Sequence, residues 1–82
     1  MITVKYFARL REQLGAQEQV AFAPGLTLAG LRDQLIARGG AHAQALDRAA
    51  FLRCARNQQM AEESEALAEG DEVAFFPPVT GG

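Results

Sequence analysis

The chemistry open to this chain is concentrated in its final residues, Pro77-Pro78-Val79-Thr80-Gly81-Gly82. Two closing glycines put a carboxylate on a backbone without Cβ atoms. Such a tip fits a channel too narrow for any side chain and takes whatever φ the channel imposes. Six extended residues span at most about 20 Å, enough to reach into a partner's active site. The two prolines keep the base of the arm extended and reduce the entropy lost on docking. The competing reading is a frayed, inert terminus, as chain ends commonly are.

Other reactive residue types offer less. The sequence has no Ser-His-Asp set of plausible geometry, no P-loop and no paired metal ligands. Cys54 is the single cysteine, so neither an internal disulfide nor a thiolate cage can form. It lies two residues from Leu52 in a strand-like pattern and reads as a buried structural thiol. His42, beside a glycine break, reads as a surface loop residue. Gly39-Gly40 follows a helical pattern rather than a strand, which makes it a helix stop.

The elements that must present the arm follow from periodicity. Ile2–Phe7 alternates, with Ile2, Val4 and Tyr6 on one side and Thr3, Lys5 and Phe7 on the other, as a half-buried strand does. Ala8–Gly15 is a short helix with Leu10 and Leu14 on one face and Gly15 at its end. A weaker strand is expected at Gln19–Phe22, stopped by Pro24-Gly25. Thr27 is an N-cap for the main helix, which aligns Leu28, Leu31 and Leu35, with Leu26 as a staple onto Leu31. Residues 41–50 suggest a loose helical turn or two. Strands are expected at Phe51–Ala55, Gln59–Ala61 and Glu72–Phe76, with a turn at Asn57-Gln58 and a positive φ at Gly70. In the last strand Val73 and Phe75 share one face and Phe76 takes the other. The order implies an α+β domain with one main helix packed across a small mixed sheet. It divides into a folded body, 1–76, and a flexible arm, 77–82.

With 82 residues the chain forms one small domain. A hydrophobic fraction of 49% against 22% charged is the balance of a folded domain rather than a disordered one. No apolar run approaches the roughly 20 residues of a membrane span, and the start, Met1–Phe7, is not a secretory signal. Lack of staples points to a reducing compartment, so the expected location is cytoplasmic. The net charge of −2 is uneven: all eight bases lie at or before Arg56, and the six acids beyond it, Glu62, Glu63, Glu65, Glu69, Asp71 and Glu72, face no base in sequence. Dispersed arginines on an acidic chain argue against nucleic acid as a partner. The acidic run reads as a solvated loop or as a surface that steers a basic partner.

The run Gly70–Gly82, with Phe75-Phe76-Pro77-Pro78 inside it, closely resembles the terminus of the small subunits of molybdopterin synthase, the ubiquitin-like sulfur carriers of molybdenum-cofactor synthesis. The resemblance extends to Ile2–Phe7, to Arg11-Glu12, to the helix from Thr27 and to Asn57-Gln58, and so covers essentially the whole chain. It implies a β-grasp fold. It also implies that Gly82 is the reactive centre, adenylated by a ubiquitin-activating-type enzyme with ATP and converted to a thiocarboxylate by a sulfur donor protein. Val79, Thr80 and Gly81 would occupy the partner's channel. The sulfur would pass to cyclic pyranopterin monophosphate in the large synthase subunit, within a heterotetramer of two small and two large subunits. On this reading the chain is the sulfur-donating subunit of a sulfurtransferase, not catalytic alone, and holds no tightly bound cofactor and no metal. Phe7, Met60 and Phe76 would form an apolar partner interface, with Arg11 at its polar rim. Two alternatives share the chemistry of the terminus: a sulfur carrier of thiamine thiazole synthesis, and a ubiquitin-like protein modifier.

Overall fold

The computed structural model describes residues 1–78. Along the chain it forms β1 (Ile2–Tyr6), α1 (Arg9–Leu14), β2 (Gln17–Val20), α2 (Leu28–Ile36), α3 (Gly40–Ala45), β3 (Arg53–Arg56), β4 (Gln59–Ala61) and β5 (Glu72–Phe76). One mixed sheet has the order β2-β1-β5-β3-β4. β1 and β5 run parallel at its centre, and the other neighbours are antiparallel. With helices over one face, this is the β-grasp arrangement.

The two faces follow from alternation. Ile2, Val4 and Tyr6 point inward and are almost wholly buried. The β1–β5 register sets Val73 against Val4 and Phe75 against Tyr6. Leu28, Leu31 and Leu35, one stripe of α2, complete this core. Thr27 starts α2 as expected: its Oγ1 accepts a hydrogen bond from the Gly30 N–H at 3.0 Å. Gly39-Gly40 does end the α2 region, but α3 begins at once, with Gly39 as its N-cap at φ 75°.

Other expectations shift. The second strand spans Gln17–Val20 rather than Gln19–Phe22, because its inward positions are Val20 and the polar Glu18. The third begins at Arg53, which leaves Phe51 outside the sheet and 73% exposed. The acidic run is not simply solvated. Glu63 pairs with Arg32 and Arg48, and Asp71 is buried.

Arg32 is the other buried charge among the described residues, only 3% exposed. Its guanidinium donates to the carbonyls of Leu46 (2.8 Å), Asp47 (2.7 Å) and Ala50 (3.0 Å) and to the Glu63 carboxylate (3.0 Å). One α2 side chain thereby ties down the segment from α3 to β3 and the loop after β4. The planar fork of arginine suits this divergent set of acceptors.

The start of β5 is locked by Asp71. Its carboxylate accepts from Arg56 Nε (2.7 Å), Asn57 Nδ2 (2.9 Å) and the Ala68 N–H (2.8 Å). Asn57, in the positive-φ turn with Gln58, grips Glu72 through both its backbone N–H and its side-chain oxygen. Burial pushes the Asp71 carboxyl upward, but the hydrogen bonds from Asn57, Arg56 and Ala68 outweigh it and hold the group below its ordinary 3.8. A depressed folded value contributes stability that is full at neutral pH and lost as pH falls through that value. We expect the native protein to lose stability in acid below about pH 4. Asp71→Asn should be less stable at neutral pH, with a shallower acid decline, as measured by urea melts across pH.

Candidate functional site

Because Glu72 is pinned, the phase of β5 is set at the opposite end, where the chain leaves the sheet. Ala74 and Phe76 face away from the helices. The β1–β5 register, continued one residue beyond Tyr6–Phe75, sets Phe7 beside Phe76, and the Phe7 N–H donates to the Phe75 carbonyl at 3.3 Å. Met60 lies opposite Ala55, which lies opposite Ala74. Phe7, Met60 and Phe76 therefore share the helix-free face, over a floor formed by the small residues Ala55 and Ala74. Phe7 is 44% and Met60 56% exposed. Phe76 is half-buried rather than the fully exposed aromatic expected from alternation.

The same face carries Lys5, which pairs with Glu72 at 3.1 Å, and Arg53, directly opposite Phe76. Arg11 is exposed on α1, four residues after Phe7. Of the four residues expected at a partner interface, Phe7 and Phe76 stand at the end of the sheet where the terminal segment emerges. Met60 lies on the same face at the level of Ala55 and Ala74, and Arg11 lies on the helix that follows β1. Pro77 and Pro78 are half-buried. Val79, Thr80, Gly81 and Gly82, the expected channel and reactive residues, lie outside the described residues.

Sequence reasoning missed two features here. Phe51, one of four exposed large apolar side chains among the described residues, lines with Met60 an open cleft of about 510 Å3 that also includes Leu52, Cys54 and Glu65. Only its size in an otherwise alanine-rich stretch could have flagged it. The second is Arg53, whose position against Phe76 needs the strand register and cannot be read from spacing.

Reactive machinery is lacking among the described residues. No group of His, Cys, Asp and Glu is arranged to hold a metal among them. Cys54 is buried and its thiol donates to the Ala61 carbonyl. Burial, reinforced by Glu63, Glu62 and Glu65, pushes this thiol upward, away from the nucleophilic thiolate. His42 is not a loop residue. It sits half-buried in α3, with Nε2 2.8 Å from Glu18 and its ring edge-on to Tyr6. Glu18 also accepts from the Tyr6 hydroxyl (2.8 Å) and from Arg38. Burial raises the Glu18 carboxyl, but hydrogen bonds from His42, Arg38 and Tyr6 prevail and lower it overall. Burial and the neighbouring Glu18 raise the Tyr6 phenol strongly. This cluster joins β1, β2 and α3 on the helix side of the sheet, opposite the apolar face, and holds the layers together.

No helix among the described residues is long and apolar enough to cross a membrane. The family model described as the ThiS family matches residues 4–82. The chain is 42% identical over 82 residues to the molybdopterin synthase sulfur carrier subunit of Escherichia coli, and 38% identical over 82 residues to that of Haemophilus influenzae. Each alignment covers 100% of both chains. The crystal structure of SAMP1 from Haloferax volcanii superposes with a TM-score of 0.77 at 34% identity, covering 99% of this chain and 98% of that one. Fold, matched residues and full-length similarity to sulfur carrier subunits agree: the chain belongs to the ThiS family of β-grasp proteins.

Proposed function

We propose that this protein is the sulfur-carrying small subunit of a molybdopterin synthase, a reagent presented to a partner rather than a catalyst in its own right. The observation that carries the reading is the helix-free apolar face of Phe7, Met60 and Phe76 at the exit of β5, in a body whose one cysteine is buried. An ionised carboxylate is a poor acyl donor. Adenylation of Gly82 by an ATP-dependent activating enzyme forms a mixed anhydride and releases pyrophosphate. The terminal sulfur of a persulfide on a donor protein then attacks the acyl carbon and displaces AMP to give an acyl disulfide. Thiol reductant cleaves its S–S bond, leaving the thiocarboxylate on Gly82 and a thiol on the donor. Gly81, Thr80 and Val79 occupy the channel of the large subunit while the sulfur attacks cyclic pyranopterin monophosphate. Water then hydrolyses the resulting thioester, breaking its acyl C–S bond and returning the Gly82 carboxylate, and two such transfers build the dithiolene. The pocket, its bases and its oxyanion donors belong to the large subunit. The chain itself holds no tight cofactor.

The test is intact-mass analysis after incubation with the activating enzyme, ATP and a sulfur donor. Replacement of one oxygen by sulfur at the terminus is the expected result, and an unmodified chain under those conditions overturns the reading. Conversion of the pterin precursor should then require the large subunit. The similarity to SAMP1, whose name describes a modifier protein, gives a second reading in which Gly82 forms an isopeptide bond with a lysine. Higher-mass conjugates on denaturing gels would favour it. A carrier for thiazole synthesis would show the same mass change but support no pterin conversion.

Phe76→Ala should weaken association with the large subunit more than it weakens the fold, because the ring is half-buried on the open face. Phe75→Ala, one position back in the core, should lose the roughly 3–5 kcal/mol typical of buried Phe→Ala changes. A stability loss of that size for Phe76→Ala would place its ring in the core instead.

A further inference from the structure

The eight basic side chains divide in a way that charge composition does not reveal. Lys5, Arg32, Arg38, Arg48 and Arg56 each pair with a carboxylate of the chain. Arg9, Arg11 and Arg53 make no ion pair or side-chain hydrogen bond among the described residues, and all three are exposed. They are not scattered. Arg53 stands directly across from Phe76, the last residue of β5. Arg9 and Arg11 open α1, two and four residues after Phe7, and flank the buried Leu10 on either side. Glu12 is the only acid in α1, so the group keeps a positive excess on a chain whose net charge is −2.

We propose that Arg9, Arg11 and Arg53 form a cationic collar around the point where the chain leaves β5, and that this collar docks against carboxylates at the mouth of the partner's tail-binding channel. The inference rests on the carrier reading above and adds the chemistry of the surface that receives the arm. Phe7, Met60 and Phe76 supply an apolar centre, and the collar surrounds it as a rim. Charges at a rim act mainly on encounter: they orient the approach and raise the association rate, and salt screens them. Guanidiniums also match carboxylate geometry in two-point contacts. A polyanionic nucleic acid is the poorer occupant, since three cations on a net-negative body neutralise too few phosphates to hold it.

The experiment measures association of the full chain with the recombinant large subunit of the same organism's synthase, over a range of salt. It compares the native protein with the triple variant Arg9→Gln/Arg11→Gln/Arg53→Gln and with the corresponding triple Arg→Lys variant. All three positions are exposed, and circular dichroism checks that each variant is folded. The native association rate should fall steeply with salt. The glutamine variant should associate roughly tenfold more slowly at low ionic strength and show little salt dependence, while the lysine variant recovers most of the rate. A glutamine variant with the native rate and salt slope overturns the collar while leaving the carrier reading intact. So does a lysine variant as slow as the glutamine one. Failure of the native chain to bind the large subunit at all removes the carrier reading and the collar with it. Binding of a duplex oligonucleotide as tight as that of the large subunit would likewise overturn the assignment of a carboxylate-bearing partner.

Discussion

Removing Gly82 should abolish thiocarboxylate formation and sulfur transfer while leaving the thermal midpoint of the domain unchanged. The core cluster runs from Ile2 to Phe75. Among the described residues, the ladders that hold β5 end with Arg53–Phe76 on one side and Tyr6–Phe75 on the other, within the strand itself. The carboxylate of a shortened chain would sit on Gly81, one residue short of where the activating enzyme and the large subunit must meet it. A displacement of even about 1 Å at a reacting centre costs on the order of 100-fold in rate, and one residue is some 3.3–3.6 Å. Intact mass reads the modification and circular dichroism the melt. A truncated chain that unfolds would show that the division between body and arm is wrong.

Arg32→Ala should cost roughly 3–5 kcal/mol, the range seen when one partner of a buried ionic network is deleted. The loss is not only that of the Glu63 pair, since Glu63 is partly solvated. The carbonyls of Leu46, Asp47 and Ala50 lose their donor together, and each unsatisfied buried acceptor costs about 1–3 kcal/mol if water cannot reach it. At roughly 4–8 °C per kcal/mol for a domain of this size, the thermal midpoint should fall by more than about 10 °C. Arg32→Lys should recover little, because one ammonium cannot reach all four acceptors. Urea unfolding measures both variants. A loss below about 1 kcal/mol for Arg32→Ala would mean that water replaces the guanidinium without penalty.

The readable parts of the fold were those in which local pattern and burial coincide. β1, the Thr27 cap, the leucine stripe of α2, the turn at Asn57-Gln58 and the limits of β4 and β5 were all evident, because each side chain's partners lie on the periodic face the sequence displays. β2 was misplaced by two residues for a specific reason. Its inward Glu18 looks like a solvent-facing residue until Tyr6, Arg38 and His42 arrive from three other elements to satisfy it. The same cluster moved His42 out of the expected loop. Arg32 could not be singled out among the arginines, since its acceptors are backbone carbonyls 14 to 18 residues away. On the helix-free face, strand phase separated Phe76 from Phe75, but the placement of Phe7, Met60 and Phe76 with Arg53 required the registers of three strand pairings.

The central placement of β5 has a mechanical consequence. A chain segment withdrawn from a tight channel transmits tension to the strand from which it emerges. β5 is bonded along both edges, parallel to β1 and antiparallel to β3, so a pull along its axis loads both ladders in shear. Had the arm grown from β4 or β2 at the sheet margins, the same tension would peel bonds one at a time. On the proposed carrier reading, the body therefore withdraws its terminus after each delivery without being unzipped.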